Sequence, residues 1–332
     1  MNKNSSIYVA GHRGLVGSAI YELLKSKGYT NIITRTREEL DLINQVAVED
    51  FFEKNSPEYV FLAAAYVGGI HANSAYPADF IYRNTMIGAN VVHAAYQHGT
   101  KKLMNLGSTC IYPKLAPQPL KEESLLSGYL EPTNDAYALA KINTLKMCTS
   151  FNKQYGTDFL SVMPTNLYGK NDNYDLSNSH VLAALIRKFH EAKSSGANKV
   201  TLWGDGTPYR EFLYVDDLAD AVVYLMENCD AKDLRNDAGD FVNIGTGKEL
   251  TIKHLAELIR TIVYSDKLVQ GKAEADDSDC HIAWDTAMPN GTPRKISDVS
   301  RLTRLGWKAK TGLKEGIQLT YRTFLEKNEG KS

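Results

Sequence analysis

With 332 residues, 43% of them hydrophobic and 23% charged, the chain can bury a large core and has the make-up of a soluble globular protein. Its formal net charge of -1 excludes a global attraction to nucleic acid or an anionic membrane surface, and no apolar run nears the ~20 residues a membrane span needs. Cys110, Cys148, Cys229 and Cys280 form no C-x-x-C pair, which argues against a metal site or disulfide framework and for a reducing, cytoplasmic setting. Met1 to Ser6 is short and polar, without the character of a signal peptide.

In chain order, Ile7 to Ala10 predicts a strand and Val16 to Lys27 a helix, followed by a strand at Asn31 to Thr34. Gln45 to Asn55 predicts a helix, Tyr59 to Leu62 a strand, Asp79 to His98 a long helix and Lys102 to Leu106 a fourth strand. Ala136 to Tyr155 is helical in pattern and Phe159 to Met163 extended. This alternation predicts an α/β fold, a doubly wound parallel sheet of Rossmann type. Further on, Ser179 to Lys193, Asp216 to Asn228 and Ile252 to Val263 predict helices, with Phe241 to Ile244 a late strand returning to the sheet. Lys267 to Asn290 is polar and shows no usable period. Residues 1–165 are expected to bind a dinucleotide, with segments near 212–248 returning to them. Residues 166–211 and 249–332 then form a smaller C-terminal substrate-binding lobe, with a cleft between the two.

Gly11, Gly14 and Gly17 lie between the first strand and first helix in a G-x-x-G-x-x-G spacing. Glycines there allow a tight turn and close approach of a pyrophosphate, whose charge suits the helix N-terminus. The second strand runs into Thr34-Arg35-Thr36-Arg37, where an NAD enzyme often places an acid for the ribose 2′-hydroxyl. Arginines there, with Arg13 in the glycine loop, match a 2′-phosphate and so NADP(H); with Glu38, Glu39 and Asp41 close by, a solvated basic loop is the alternative.

Tyr137 and Lys141, four apart, share one helical face. A tyrosine ionises near ~10, and an adjacent ammonium is expected to lower that value, so that the phenol exchanges a proton as hydride moves at the neighbouring carbon. Ser108 follows the fourth strand, placed to hydrogen-bond the same carbonyl oxygen; the segment alone equally admits a turn serine.

Beyond these patterns the chain resembles the GDP-L-fucose synthase family, GDP-4-keto-6-deoxymannose 3,5-epimerase-4-reductases of the extended short-chain dehydrogenase/reductase type. The likeness runs through Gly11 to Gly17, Ala63 to Ile70, Gly107 to Lys114, Glu131 to Asn134, Met163 to Gly169, Asn178 to Val181, Trp203-Gly204, Arg210 to Leu213 and Gly291 to Lys295. It implies a reductase triad of Ser108, Tyr137 and Lys141 and an epimerisation pair of Cys110 and His180. It implies NADP(H) contacts at Gly11, His12, Arg13, Gly14, Leu15, Val16, Gly17, Arg37, Asp41 and Leu42. Further contacts would come from Leu106, Gly107, Ser108, Thr109, Lys141, Pro164, Thr165, Asn166, Leu167 and His180. A GDP-sugar would meet Lys188, Trp203, Arg210 and Asn290. The sequence differs from a member of that family at Lys188, where that member has arginine, and at Asn290, where it has aspartate. A homodimer through the helices at Asp79 to His98 and Ala136 to Tyr155 is implied as well, with no metal, nucleic-acid or membrane partner.

The chemistry this implies is self-consistent. Protons on C3 and C5 of a 4-keto sugar both flank the carbonyl, so removing either puts charge on the C4 oxygen, where Tyr137 and Ser108 act as donors. Cys110 would then take a proton on one face and His180 return one on the other. On pattern alone Cys110 also reads as a small buried hydrophobe, and His180 as a residue of a helix start, next to the caps offered by Asn178 and Ser179, where a protonated imidazole is disfavoured. A sugar 4,6-dehydratase would carry Thr-Asp-Glu where Thr109-Cys110-Ile111 stands, and a non-catalytic NADP-binding regulator would be expected to lose Tyr137, Lys141 or Ser108. Related GDP-4-keto sugars, a dideoxyhexose or a deoxyheptose, remain open as substrates.

Overall fold

The structure, a computed structural model, describes residues 1–176, 178–265, 280–288 and 290–329. Buried apolar strands alternate with helices: β1 (Ile7–Ala10), α1 (Leu15–Ser26), β2 (Ile32–Ile33), α2 (Gln45–Asn55), β3 (Tyr59–Leu62), α3 (Ile70–Ala75), α4 (Pro77–Gln97), β4 (Lys102–Leu106), α5 (Asp135–Tyr155) and β5 (Phe159–Pro164). β1 and β5 have no exposed residue, as expected of parallel strands covered on both faces. Among the described residues the main sheet has the order β2-β1-β3-β4-β5-β10-β9, with β9 (Arg235–Asn236) and β10 (Gly239–Ile244) returning late. Its pairings are parallel except at the β9 edge, so the doubly wound α/β expectation holds.

The remaining elements build a second layer. β6 (Asn166–Tyr168), α6 (Val181–Ser195), β7 (Lys199–Trp203), β8 (Tyr209–Tyr214) and α7 (Val215–Asn228) precede β9 and β10; β11 (Glu249–Thr251), α8 (Ile252–Tyr264), β12 (His281–Asp285), β13 (Arg294–Lys295), α9 (Ser300–Arg304) and α10 (Leu313–Glu329) follow. β8 pairs with β6, β11 and β13, and β7 with β12. Leu185, Ile186 and Phe189 of α6 pack with Leu255 and Ile259 of α8 and Ile317 and Tyr321 of α10 in a core of their own. α1 and α7 cover one face of the main sheet with Ile20, Leu24, Leu218 and Val222; α2, α4 and α5 cover the other with Phe52, Val91 and Cys148.

Two expectations need correction. The second strand shrinks from Asn31–Thr34 to Ile32–Ile33, because the chain turns away toward the arginine loop. The helix expected from Ser179 starts at Val181, and its N-cap is His180 rather than Asn178 or Ser179. Of the stretch 267–290, residues 267–279 and 289 lie outside the described residues.

Candidate active site

The strand order reverses between β1 and β3, whose carboxyl ends open a crevice. There Gly11 takes φ 84°, and a Cβ on it would lie 2.8 Å from Ala64 Cα; a Cβ on Gly17 would lie 2.1 Å from Gly11 O. Both glycines are thus fixed by close backbone approach. Gly14 caps α1 with no side chain, so the first N–H groups of α1 are left for an anion. This cradle fits a dinucleotide pyrophosphate. It forms one end of a cleft of about 560 Å³, lined also by Arg37, Asp41, Leu42, Leu106 to Thr109 and Pro164 to Leu167. Arg35 lines it too, its guanidinium held by Thr34 O at 2.7 Å and lying over the Phe51 ring.

His12 and Arg13 stand outside the cleft lining; Arg13 is exposed on the loop, and its charge, like that of Arg37, helps hold Glu38 below the usual carboxylate range, after hydrogen bonds to its own backbone and Thr36. The acids that compete on paper are engaged locally: Glu39 accepts from Thr36 N at 2.6 Å and Asp41 from Ile43 N at 3.1 Å.

Deeper in the cleft, α5 presents Tyr137 and Lys141 on one face. Lys141 is buried, and its Nζ donates to Leu106 O at 2.8 Å while lying 5.7 Å from the Tyr137 ring centroid. Burial lowers its pKa to about 8. Tyr137 packs edge-on against Phe80 at 6.3 Å. Its pKa is raised, first by burial and then by Cys110, whereas the Tyr–Lys pattern predicts a lowered one. The reason is geometric: the ammonium is directed at the Leu106 carbonyl, and burial outweighs it at the phenol. The phenol is therefore protonated at neutral pH.

Ser108 serves as the turn serine its segment admits and also faces the cleft. Its Oγ accepts from Cys110 N at 3.3 Å, capping the short turn Thr109–Ile111, and it lines the cleft beside Tyr137. Cys110 on that turn is buried; burial pushes its thiol up, while Lys295, Ser108 and Lys141 pull it down. His180, exposed to the cleft, leaves its ring free of any capping bond, and its pKa is lowered by enclosure and then by Lys295.

Lys295 thus acts on both Cys110 and His180. Pattern reasoning quoted it without a role; the signal available was its place in Gly291 to Lys295, but its partners lie far away in sequence. Asp172 was missed altogether: it lines the same cleft, its Oδ2 is buried without a hydrogen-bond partner among the described residues, and burial raises its pKa to about 7.

The four residues expected to meet a GDP-sugar lie beyond this cleft lining. Arg210 on β8 stands opposite Lys295 of β13 and so borders the cleft; its guanidinium donates to Tyr209 O at 2.8 Å. Lys188 donates to Thr201 O at 3.0 Å. Trp203 ends β7 and is 53% exposed, while Asn290 Oδ1 accepts from Asp205 N at 2.9 Å, bracing the turn that follows Trp203.

A switch-point crevice with a glycine cradle, opening onto a tyrosine–lysine pair, defines a nicotinamide-dinucleotide-binding α/β protein. The chain belongs to the NAD dependent epimerase/dehydratase family, whose model matches residues 7–245. A putative GDP-L-fucose synthase 2 of Arabidopsis thaliana is 54% identical over 327 residues, covering 98% of this chain and 93% of its own. The GDP-L-fucose synthase of Escherichia coli (strain K12) is 49% identical over 326 residues, with 97% of each chain covered. Among solved structures, a GDP-mannoheptose C4 reductase from Campylobacter jejuni with NADP bound superposes with a TM-score of 0.86 at 40% identity, covering 98% of this chain and 99% of that one.

Proposed function

We propose that the chain is a bifunctional NADPH-dependent enzyme that epimerises GDP-4-keto-6-deoxy-D-mannose at C3 and C5 and reduces it at C4, giving GDP-L-fucose. The observation that carries this reading is one cleft lined by the glycine cradle, Ser108, Tyr137, Lys141 and His180, with Cys110 beside it, in a chain 49% to 54% identical to proteins named GDP-L-fucose synthase. Residues 1–165 with 212–248 hold the cofactor, and 166–211 with 249–332 hold the sugar nucleotide. The protein works in the cytoplasm as a homodimer.

NADPH, when bound, supplies the hydride that reaches C4. Ser108 and Tyr137 hydrogen-bond the C4 oxygen and stabilise the enolate formed when a C3 or C5 proton leaves. Burial favours the neutral forms of Cys110 and His180, so the pair holds one transferable proton, on sulfur, and one free acceptor, on the imidazole. From these forms His180 removes the carbon-bound proton and Cys110 delivers its own to the opposite face, the reverse of the order expected from the sequence. Tyr137 then gives its phenolic proton to the C4 oxygen, and Lys141, near its pKa of about 8, restores it. Arg13 and Arg37 face the 2′-phosphate.

A second reading keeps the chemistry and changes the sugar, to a related GDP-4-keto-deoxy hexose or heptose. The 40% identity to a GDP-mannoheptose C4 reductase from Campylobacter jejuni supports it. Incubation with GDP-4-keto-6-deoxymannose and either NADPH or NADH, with NMR of the product, decides. GDP-L-fucose formed with a clear NADPH preference is expected; an unepimerised product, or equal use of NADH, defeats the reading.

A further inference from the structure

Glu211 has no part in the mechanism above, yet it is a wholly buried carboxylate within β8. Its Oε1 accepts from Thr246 N at 2.6 Å and Gly247 N at 2.7 Å, in the turn between β10 and β11. Its Oε2 accepts from Ser297 N at 2.8 Å, just past β13. The carbonyl of the same residue accepts from Asn166 Nδ2 at 2.7 Å and Thr165 Oγ1 at 3.3 Å, and both of those residues line the cofactor side of the cleft. The space is closed, since a Cβ on Gly245 would lie 2.3 Å from Oε1.

β13 has two residues, too few ladder bonds to fix its own register. In the observed register Lys295 stands opposite Arg210, so the two side chains share a face, and Lys295 lines the cleft. A slip of one residue would turn Lys295 to the other face of the sheet. The Glu211–Ser297 bond opposes that slip from the far side of β8, and the bonds to Thr246 and Gly247 pin the neighbouring turn to the same carboxylate.

We propose that Glu211 is a positioning residue for the sugar-nucleotide side of the cleft: by clamping β13 and the β10–β11 turn to β8 it sets where Arg210 and Lys295 stand relative to Thr165 and Asn166. This rests on the reading that Arg210 meets the GDP-sugar. A carboxylate suits the task because three N–H donors converge on it; a glutamine would turn an NH₂ group toward one of them.

The test is Glu211→Gln in the full chain, with NADPH affinity measured by fluorescence titration, and KM and kcat measured with GDP-4-keto-6-deoxymannose. NADPH affinity is expected to stay within about twofold, while KM for the sugar nucleotide rises at least about tenfold. Gly245→Ala, which presses on Oε1 but keeps the carboxylate, gives the same pattern. Asn152→Ala serves as the control for lost stability alone. Its side chain bonds Phe159 O and Asp240 Oδ2 at the opposite end of the sheet, so it lowers the melting temperature and leaves KM unchanged. Parental KM in a folded Glu211→Gln, or KM and NADPH affinity worsening together, overturns the proposal; if Glu211→Gln does not fold, Gly245→Ala decides by the same criteria. Parental KM in Arg210→Ala instead sinks the reading of Arg210 as a substrate contact, whatever Glu211 does.

Discussion

At the scale of single residues, the proposed roles predict that epimerisation and reduction separate by mutation, although Ser108 and Tyr137 serve both. Tyr137→Phe removes the donor to the C4 oxygen; NADPH oxidation is expected to fall by ~10²–10⁴-fold, the usual worth of a general acid. Cys110→Ser replaces the thiol with a hydroxyl that is a far poorer proton carrier at neutral pH. It blocks solvent deuterium entry at C3 or C5 while NADPH binding survives, and wild-type exchange would reduce Cys110 to a packing residue. Lys141 sets a pH limit: its ammonium is present below about 8 and lost above it, so kcat/KM of the free enzyme declines as pH rises through about 8. A flat profile from pH 7 to well above that point contradicts Lys141 as the proton source for Tyr137. How much of this was legible differs by residue. Gly11 and Gly17 were readable because backbone crowding leaves a local signature. The direction of the Tyr137 shift was not, since it depends on where the Lys141 ammonium points. Lys295 and Asp172 enter the cleft through tertiary structure alone.

Among elements, most of the first-half alternation was legible, whereas β7, β8 and the 17-residue helix α10 of the second layer were not assigned from the sequence. α4 and α5 announce themselves by helical period over 21 residues each. β6, β9, β11 and β13 have two or three residues, and only pairing with distant partners makes them strands. The β8–β13 wall was accordingly seen only as motifs, whereas the glycine loop, Leu106 to Thr109 and Pro164 to Leu167 all line the cleft. The α4–α5 contact yields a prediction whose sign decides between two effects. Gly→Ala inside a helix normally stabilises by about 1 kcal/mol. At Gly88, however, a Cβ would lie 2.0 Å from Thr144 Oγ1, and overpacking of that kind costs about 1–3 kcal/mol. Gly88→Ala is therefore expected to destabilise, and Thr144→Ala in the same chain to recover part of the loss. Denaturant unfolding of the two single variants and the double measures the coupling; strictly additive effects would show that the helices relax apart at no cost.

The whole molecule leaves an apolar surface on these same two helices. Ile81, Tyr82 and Leu139 are 38%, 59% and 44% exposed, and Met86 and Ala89, half-buried, continue the Tyr82 stripe at helical spacing. Tyr155, 47% exposed, stacks on Tyr96 near the far end of the pair. The inner faces of α4 and α5 are already used against the sheet and against each other, so this stripe is surplus to the fold of one chain. A second copy related by a two-fold axis would set α4 and α5 against their counterparts and close a four-helix layer on the side away from α1 and α7. One of these helices, α5, carries Tyr137 and Lys141 on its cleft-facing side, so an interface here would also stiffen the platform of the proposed chemistry. Light scattering at micromolar concentration is expected to give the mass of two chains. Tyr82→Glu, placing a charge in the stripe, shifts that mass toward one chain as the protein is diluted, with the NADPH site intact. A single-chain mass for the parent protein rules the homodimer out. A two-chain mass indifferent to Tyr82→Glu moves the interface to another face.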